Sequence, residues 1–195
     1  MTVPADVLDL ILEVVAEAPA GLGGMRLVCV DGPAGSGKTT LADQLGRALP
    51  AQVIHMDDLY PGWTGLAEGA EKLHEWVLEP LAHGVPGRYR RYDWPLGLYA
   101  ERHTVPLADT LVVEGCNSAA LTTAPYAPVI IWVEAEDDVR LERGMLRDGD
   151  GARDQWTTWM VEERRLYAEH RTAERSHVRL DGSGNITGLG PTETV

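Results

Sequence analysis

The chain has 195 residues, with 17 basic and 30 acidic side chains and a formal charge of −13 at neutral pH. That length suits one compact domain burying roughly 70% of its unfolded surface, with no need of disulfides or a structural metal. The acidic excess excludes broad nucleic-acid binding, because such a field repels phosphate backbones except where positive charge is gathered locally.

Along the chain, Pro4 to Ala18 sets Val7, Leu8, Ile11, Leu12, Val14 and Val15 on one helical stripe, with acidic residues opposite. Met25 to Val30 is a nearly continuous apolar run, as a buried parallel strand requires, and similar runs recur at 51–55, 110–113, 129–133 and 177–180. Helical patterns lie between them at 39–49, 67–83, 136–147 and 153–172. This alternation predicts an α/β fold with a parallel central sheet. Residues 84–106 break the pattern with alternating Arg and Tyr, and read as a β-hairpin or ordered loop. The tail from Gly182 is glycine-rich, and its last few positions are expected to be disordered.

Cys29 and Cys116 sit in apolar runs and show no metal-ligand spacing, so reduced core thiols are expected. Asp6, Asp9 and Glu13 interrupt the first apolar run, which excludes a signal peptide, and no stretch reaches the ~18 apolar residues of a membrane span. A soluble cytoplasmic protein without membrane or nucleic-acid partners is the expectation.

The sharpest signal is Gly32-Pro33-Ala34-Gly35-Ser36-Gly37-Lys38-Thr39, which satisfies G-x-x-x-x-G-K-[ST]. A strand ends at Asp31 and a helix begins at Lys38, as this phosphate cradle requires. Its glycines let backbone N–H groups turn inward, and the helix N-terminus adds partial positive charge. Lys38 reaches phosphate oxygens as a mobile charge, and Thr39 can ligate Mg²⁺. Gly32, Ala34, Gly35, Ser36, Gly37, Lys38, Thr39 and Thr40 are therefore the candidate ATP-binding residues. The second lysine, Lys72, reads as a solvated partner of Glu68.

A guanine-reading Asn-Lys-x-Asp segment is absent, which weighs against a GTPase switch. The strand 111–113 ends in Glu114, where a carboxylate can hold Mg²⁺ with Thr39. The strand ending at His55 leads into Asp57 and Asp58. Neighbouring side chains diverge, so only one of the two can face a site, and a carboxylate there can accept a proton from an attacking hydroxyl.

These segments, together with Tyr92-Asp93-Trp94, Asp138-Val139-Arg140-Leu141 and Leu146-Arg147-Asp148, resemble in order and spacing the motifs of the uridine kinase family of P-loop kinases. The resemblance runs from Met25 to about Asn185. It implies a five-stranded parallel sheet flanked by helices, ATP and Mg²⁺ as cosubstrates, and transfer of the γ-phosphoryl group to a small-molecule hydroxyl. Position by position it makes Asp57 the catalytic carboxylate and Tyr60, Tyr92 and Asp93 acceptor-binding. Arg140, Arg143 and Arg147 then fall in the helix leading to a mobile lid, with Arg143 at the nucleotide and Arg147 catalytic. The expected organisation is one kinase domain over 1–195, with an acceptor-binding insertion at 84–106 and a lid at 147–153, and the loop 179–185 lies beside the adenine. Trp63 is a candidate for stacking on a planar acceptor, whereas Trp156 and Trp159 read as core.

The chain departs from the family in its acceptor half. No Asp-His-Pro segment occurs between Tyr60 and Tyr92, and no histidine follows the Tyr-Asp-aromatic segment. Gly144 and Ala152 stand where lid arginines are usual. A non-nucleoside alcohol, a nucleoside monophosphate favoured by Arg88, Arg90 and Arg91, and a regulatory nucleotide binder therefore stay open as alternatives.

Overall fold

A computed structural model describes residues 2–190. The expected disorder of the final positions lies outside them. The sheet is laid down by α1 (Ala5–Glu17), β1 (Arg26–Asp31), α2 (Lys38–Ala48) and β2 (Gln52–His55). Then α3 (Leu66–Leu73) runs on through a wider π turn, His74–Leu78, into α4 (Glu79–Ala82). The hairpin β3 (Gly87–Asp93) and β4 (Leu98–Val105) follows, then β5 (Thr110–Glu114) and β6 (Val129–Val133). The chain closes with α5 (Asp137–Asp148), α6 (Arg153–His170), α7 (Thr172–Arg175), β7 (Val178–Leu180) and β8 (Ile186–Leu189).

The central sheet has the order β2-β5-β1-β6-β7-β8. Its first five strands are parallel, and β8 adds a sixth, antiparallel to β7. The five-stranded reading holds for the parallel part, and the glycine-rich tail supplies the extra edge strand. The long helix expected at 67–83 widens where Pro80 lacks the N–H that would bond the carbonyl four residues earlier.

Alternate strand residues face opposite layers. Leu27, Cys29, Leu111 and Val113 pack with Leu66, Leu73 and Val77 of the α3 region, Tyr89 of the hairpin and Trp159 of α6. Val28, Val30, Val112 and Ile131 pack with Ile11 of α1 and Leu41 and Leu45 of α2. Both cysteines are free and buried, as expected of core thiols. With both sheet faces covered, what remains open is the carboxyl edge of the parallel strands, the usual ligand side of such a sheet.

Candidate active site

At that edge β1 feeds a tight loop into α2. Gly32 has φ 138°, and a Cβ there would lie 2.0 Å from Val133 O, so only glycine lets the loop leave β1 beside β6. Gly37, at φ 104°, occupies the N-cap of α2 and has no side chain to satisfy the first-turn N–H groups, which leaves them for an anion. The Ser36 hydroxyl in the same loop is buried without a hydrogen-bond partner. Lys38 is 6% exposed, and its ammonium donates to Pro33 O at 2.8 Å. Burial opposes its charge, but Cys116 and the surrounding Glu114, Glu163 and Asp31 carboxylates hold its pKa above the ordinary lysine value.

The loop is gripped from behind. Glu163 on α6 accepts from Ala34 N at 2.8 Å, while Arg140 on α5 donates to Ala34 O at 2.9 Å and pairs with Glu163 at 2.7 Å. Arg143 donates to Gly35 O at 2.9 Å. Asp31, fully buried at the end of β1, accepts from Gly32, Asn117 and Ala119 N–H groups, tying the loop to the segment after β5.

Glu114 ends β5 beside His55 of β2, its partner in the parallel register. The Thr39 hydroxyl donates to Glu114 Oε1 at 3.1 Å, and His55 Nδ1 lies 2.6 Å from the same oxygen. This hydrogen bond, ahead of the opposing desolvation, raises the His55 pKa. Asp57 follows in a 3₁₀ turn, exposed to the cavity. Protein crowded around its other sides raises its pKa by desolvation, and the Glu114 charge adds to that.

Lys38, Thr39, Glu114 and Asp57 line one cavity of about 740 Å³, together with Ala34, Gly35 and Gly37 of the loop and with Arg143, Arg147 and Trp63. Gly32, Ser36 and Thr40 belong to the same loop and helix start but are not on its wall. Arg147 pairs with Asp148 at 2.8 Å and sets its guanidinium 5.6 Å from the Trp156 ring centre.

The acceptor residues expected from the sequence sit differently. Tyr60 is fully buried, its hydroxyl donated to Cys116 O at 2.6 Å and its ring edge-on to Trp159, so it lies behind the wall. Tyr92 packs against Trp94 and Tyr99, and Asp93 accepts from Leu96 N and Arg91 to close the hairpin turn. In their place Trp94, Pro95, Trp156 and Trp159 join Trp63 on the wall. Trp156 and Trp159 are nonetheless 1% and 5% exposed, so they serve core and cavity together.

The arginine-rich C-terminal part contributes less than its composition suggests. Arg164 pairs with Asp137, and Arg165 with Glu162 and Glu169, on the exposed face of α6. Arg140 is buried in the loop clasp, leaving Arg143 and Arg147 at the cavity. The turn at 181–185 is folded on Asp181; none of residues 179–185 lines the cavity, but a Cβ at Gly182 would lie 2.8 Å from Ala135 and 3.6 Å from Arg143, which does. Lys72 pairs with Glu68 as expected.

Sequence reasoning passed over His55, Glu163, Asp31 and Trp94. His55 had a signal in its place at a strand end, where the structure makes it the direct register partner of Glu114, and Trp94 had one as the aromatic of the Tyr-Asp-aromatic segment.

Among the described residues no helix is long and apolar enough to cross a membrane, and no group of three or more His, Cys, Asp or Glu could hold a metal. No protein-family model matches the chain. A cytidylate kinase of Pyrobaculum arsenaticum is 32% identical over 127 residues, which is 64% of this chain and 62% of that protein. A cytidylate kinase of Pyrobaculum neutrophilum is likewise 32% identical, over 64% of this chain and 61% of that protein. The chain therefore spans less than two thirds of the length of these curated relatives. Among solved structures, a possible uridine kinase of Bacillus stearothermophilus superposes with a TM-score of 0.61 at 18% identity, over 89% of this chain and 97% of that one. A D-glycerate 3-kinase of Cryptococcus neoformans gives 0.55 at 13% identity, over 95% and 98%. The resemblance read from the motifs is thus met in three dimensions: the chain has the P-loop fold of the nucleoside and small-molecule kinases.

Proposed function

We propose that this chain is an ATP-dependent phosphotransferase that moves the γ-phosphoryl group of ATP to a hydroxyl of a small molecule. The observation that carries the reading is that Lys38, the Thr39–Glu114 pair and Asp57 open onto one cavity. The uncapped first turn of α2, the orphan Ser36 hydroxyl and the buried ammonium suit a polyphosphate. Thr39 and Glu114 present two oxygens 3.1 Å apart at the end of β5, a donor set suited to Mg²⁺. The cation, when bound, neutralises charge on the phosphate oxygens.

The chain's own residues do the rest by position. The amides at the start of α2 and Lys38 orient the phosphates, and the Arg140–Glu163 clasp keeps the loop in the shape that aims those amides. His55 holds Glu114 in one orientation. Asp57 accepts the proton of the attacking hydroxyl, and its raised pKa makes it a stronger base than a solvated aspartate. Arg147, two turns from Arg140 on α5 and next to the turn at 150–152, meets the transferring group from the 147–153 segment, which we read as a lid. The hairpin within 84–106 serves the acceptor through Trp94 and Pro95.

The test is ADP release from ATP and Mg²⁺ across a panel of small alcohols and nucleosides. Release should require an acceptor and disappear in Lys38→Ala. ATP binding without acceptor-dependent release would instead mark a nucleotide-binding regulatory protein.

A further inference from the structure

A loop that binds an anion must show it N–H groups and keep its carbonyl oxygens away. Each carbonyl from Gly32 to Gly35 is held by a side chain. Lys38 donates to Pro33 O at 2.8 Å, Arg140 to Ala34 O at 2.9 Å and Arg143 to Gly35 O at 2.9 Å. The donor to Gly32 O is neutral: the Tyr167 hydroxyl lies 2.7 Å from it and 2.9 Å from Asp31 Oδ1. Tyr167 stands on α6 one turn beyond Glu163, which accepts from Ala34 N, and its ring meets Trp132 of β6 edge-on at 4.7 Å. It is not on the cavity wall, so it can reach a bound anion only through the loop.

Gly32 depends on this donor more than its neighbours depend on theirs. The hydroxyl has one proton for two acceptors. Asp31 Oδ1 already receives Gly32 N at 2.7 Å and Asn117 N at 2.9 Å, whereas among the described residues Gly32 O has no donor but Tyr167. The peptide joining Gly32 to Pro33 carries a carbonyl but, because proline lacks an N–H, nothing that an anion can hold. An anion that bonded an N–H there would itself keep the carbonyl on the far side; with proline, only a donor behind the loop can do so. Gly32, at φ 138°, occupies backbone space that glycine alone uses freely, so the chain does little to fix the peptide plane. A plane free to turn would swing the negative end of its dipole toward the phosphate oxygens.

Resting on the phosphate site of the reading above, and on that part of it alone, we propose that Tyr167 is a positioning residue for the triphosphate. Its hydroxyl holds the Gly32 carbonyl away from the anion in place of the N–H that Pro33 lacks.

Binding of ATP and of tripolyphosphate, each with Mg²⁺, is measured by calorimetry in a double-mutant cycle of Tyr167→Phe and Pro33→Ala. Phenylalanine keeps a ring against Trp132 and removes the hydroxyl alone. With Pro33 in place it should weaken both ligands by the same factor, roughly 10-fold, as loss of one hydrogen bond does. With Pro33→Ala, which returns an N–H for the anion to hold, the loss should shrink to roughly twofold. A hydroxyl that only stabilised the fold would cost equal affinity in both backgrounds. That result, an unchanged affinity in Tyr167→Phe, or a loss for ATP that tripolyphosphate does not share would overturn the proposal. Wild-type protein that binds both ligands with the expected coupling, yet forms no ADP with any acceptor, would leave Tyr167 in its role and remove the transfer reading. Failure of the wild-type protein to bind either ligand would overturn both.

Discussion

Asp57 combines exposure to the cavity with crowding by protein, and both consequences are measurable. A carboxylate whose folded pKa is raised stabilises the native state only while protonated, and that contribution is lost as pH rises through the folded value. At neutral pH its charge works against folding. Asp57→Asn should therefore lower kcat by roughly 10²–10⁴-fold, as loss of a general base does, while calorimetric ATP affinity and the melting temperature stay equal or rise. Unchanged turnover would remove Asp57 from the chemistry. The acid limb of the wild-type kcat profile should also lie above the range of a solvated aspartate, because activity needs the deprotonated form and falls as pH drops through the raised value. A limb at the ordinary aspartate range would contradict the assignment.

At the scale of elements, α5 and α6 act on the phosphate loop through one buried pair. Arg140 and Glu163 are 3% and 2% exposed at their side chains and hold Ala34 by its carbonyl and its amide. Glu163→Gln leaves a buried guanidinium without its counter-charge, which costs about 3 kcal/mol, so the denaturation midpoint should fall with little change in slope. A neutral outcome would show that Asp137, the other carboxylate on Arg140, suffices. None of this was legible in the sequence, because residues 34, 140 and 163 meet only once the helices pack. What was legible followed local rules: continuous apolar runs gave the five parallel strands, and the glycine spacing gave the loop. The hairpin arginines alternated as a strand should, but their partners, backbone carbonyls and Glu101, could not be read from periodicity. Tyr60 was expected in the pocket from its motif. It is drawn into the core because its neighbour in space, Gly69, leaves room for the ring.

For the whole molecule, the acidic surface and the few cavity cations belong together. Most C-terminal arginines are spent on neighbouring carboxylates, and positive charge at the cavity comes down to Lys38, Arg143 and Arg147. ATP with Mg²⁺ should then stabilise the fold as a specific ligand. At a hundredfold excess over Kd this amounts to about 2.7 kcal/mol, or roughly 5–10 °C in melting temperature, and scanning fluorimetry should show the shift shrinking with EDTA. No shift at millimolar ATP would contradict a nucleotide site. The hairpin also bears on how Asp57 is held. Its Trp94, Tyr99 and Tyr89 side chains donate to Asp57 O, Leu59 O and Asp58 Oδ2, so the hairpin is fastened at three points to the turn that carries Asp57. A substitution that shifts the hairpin therefore also shifts the backbone on which the Asp57 carboxylate stands.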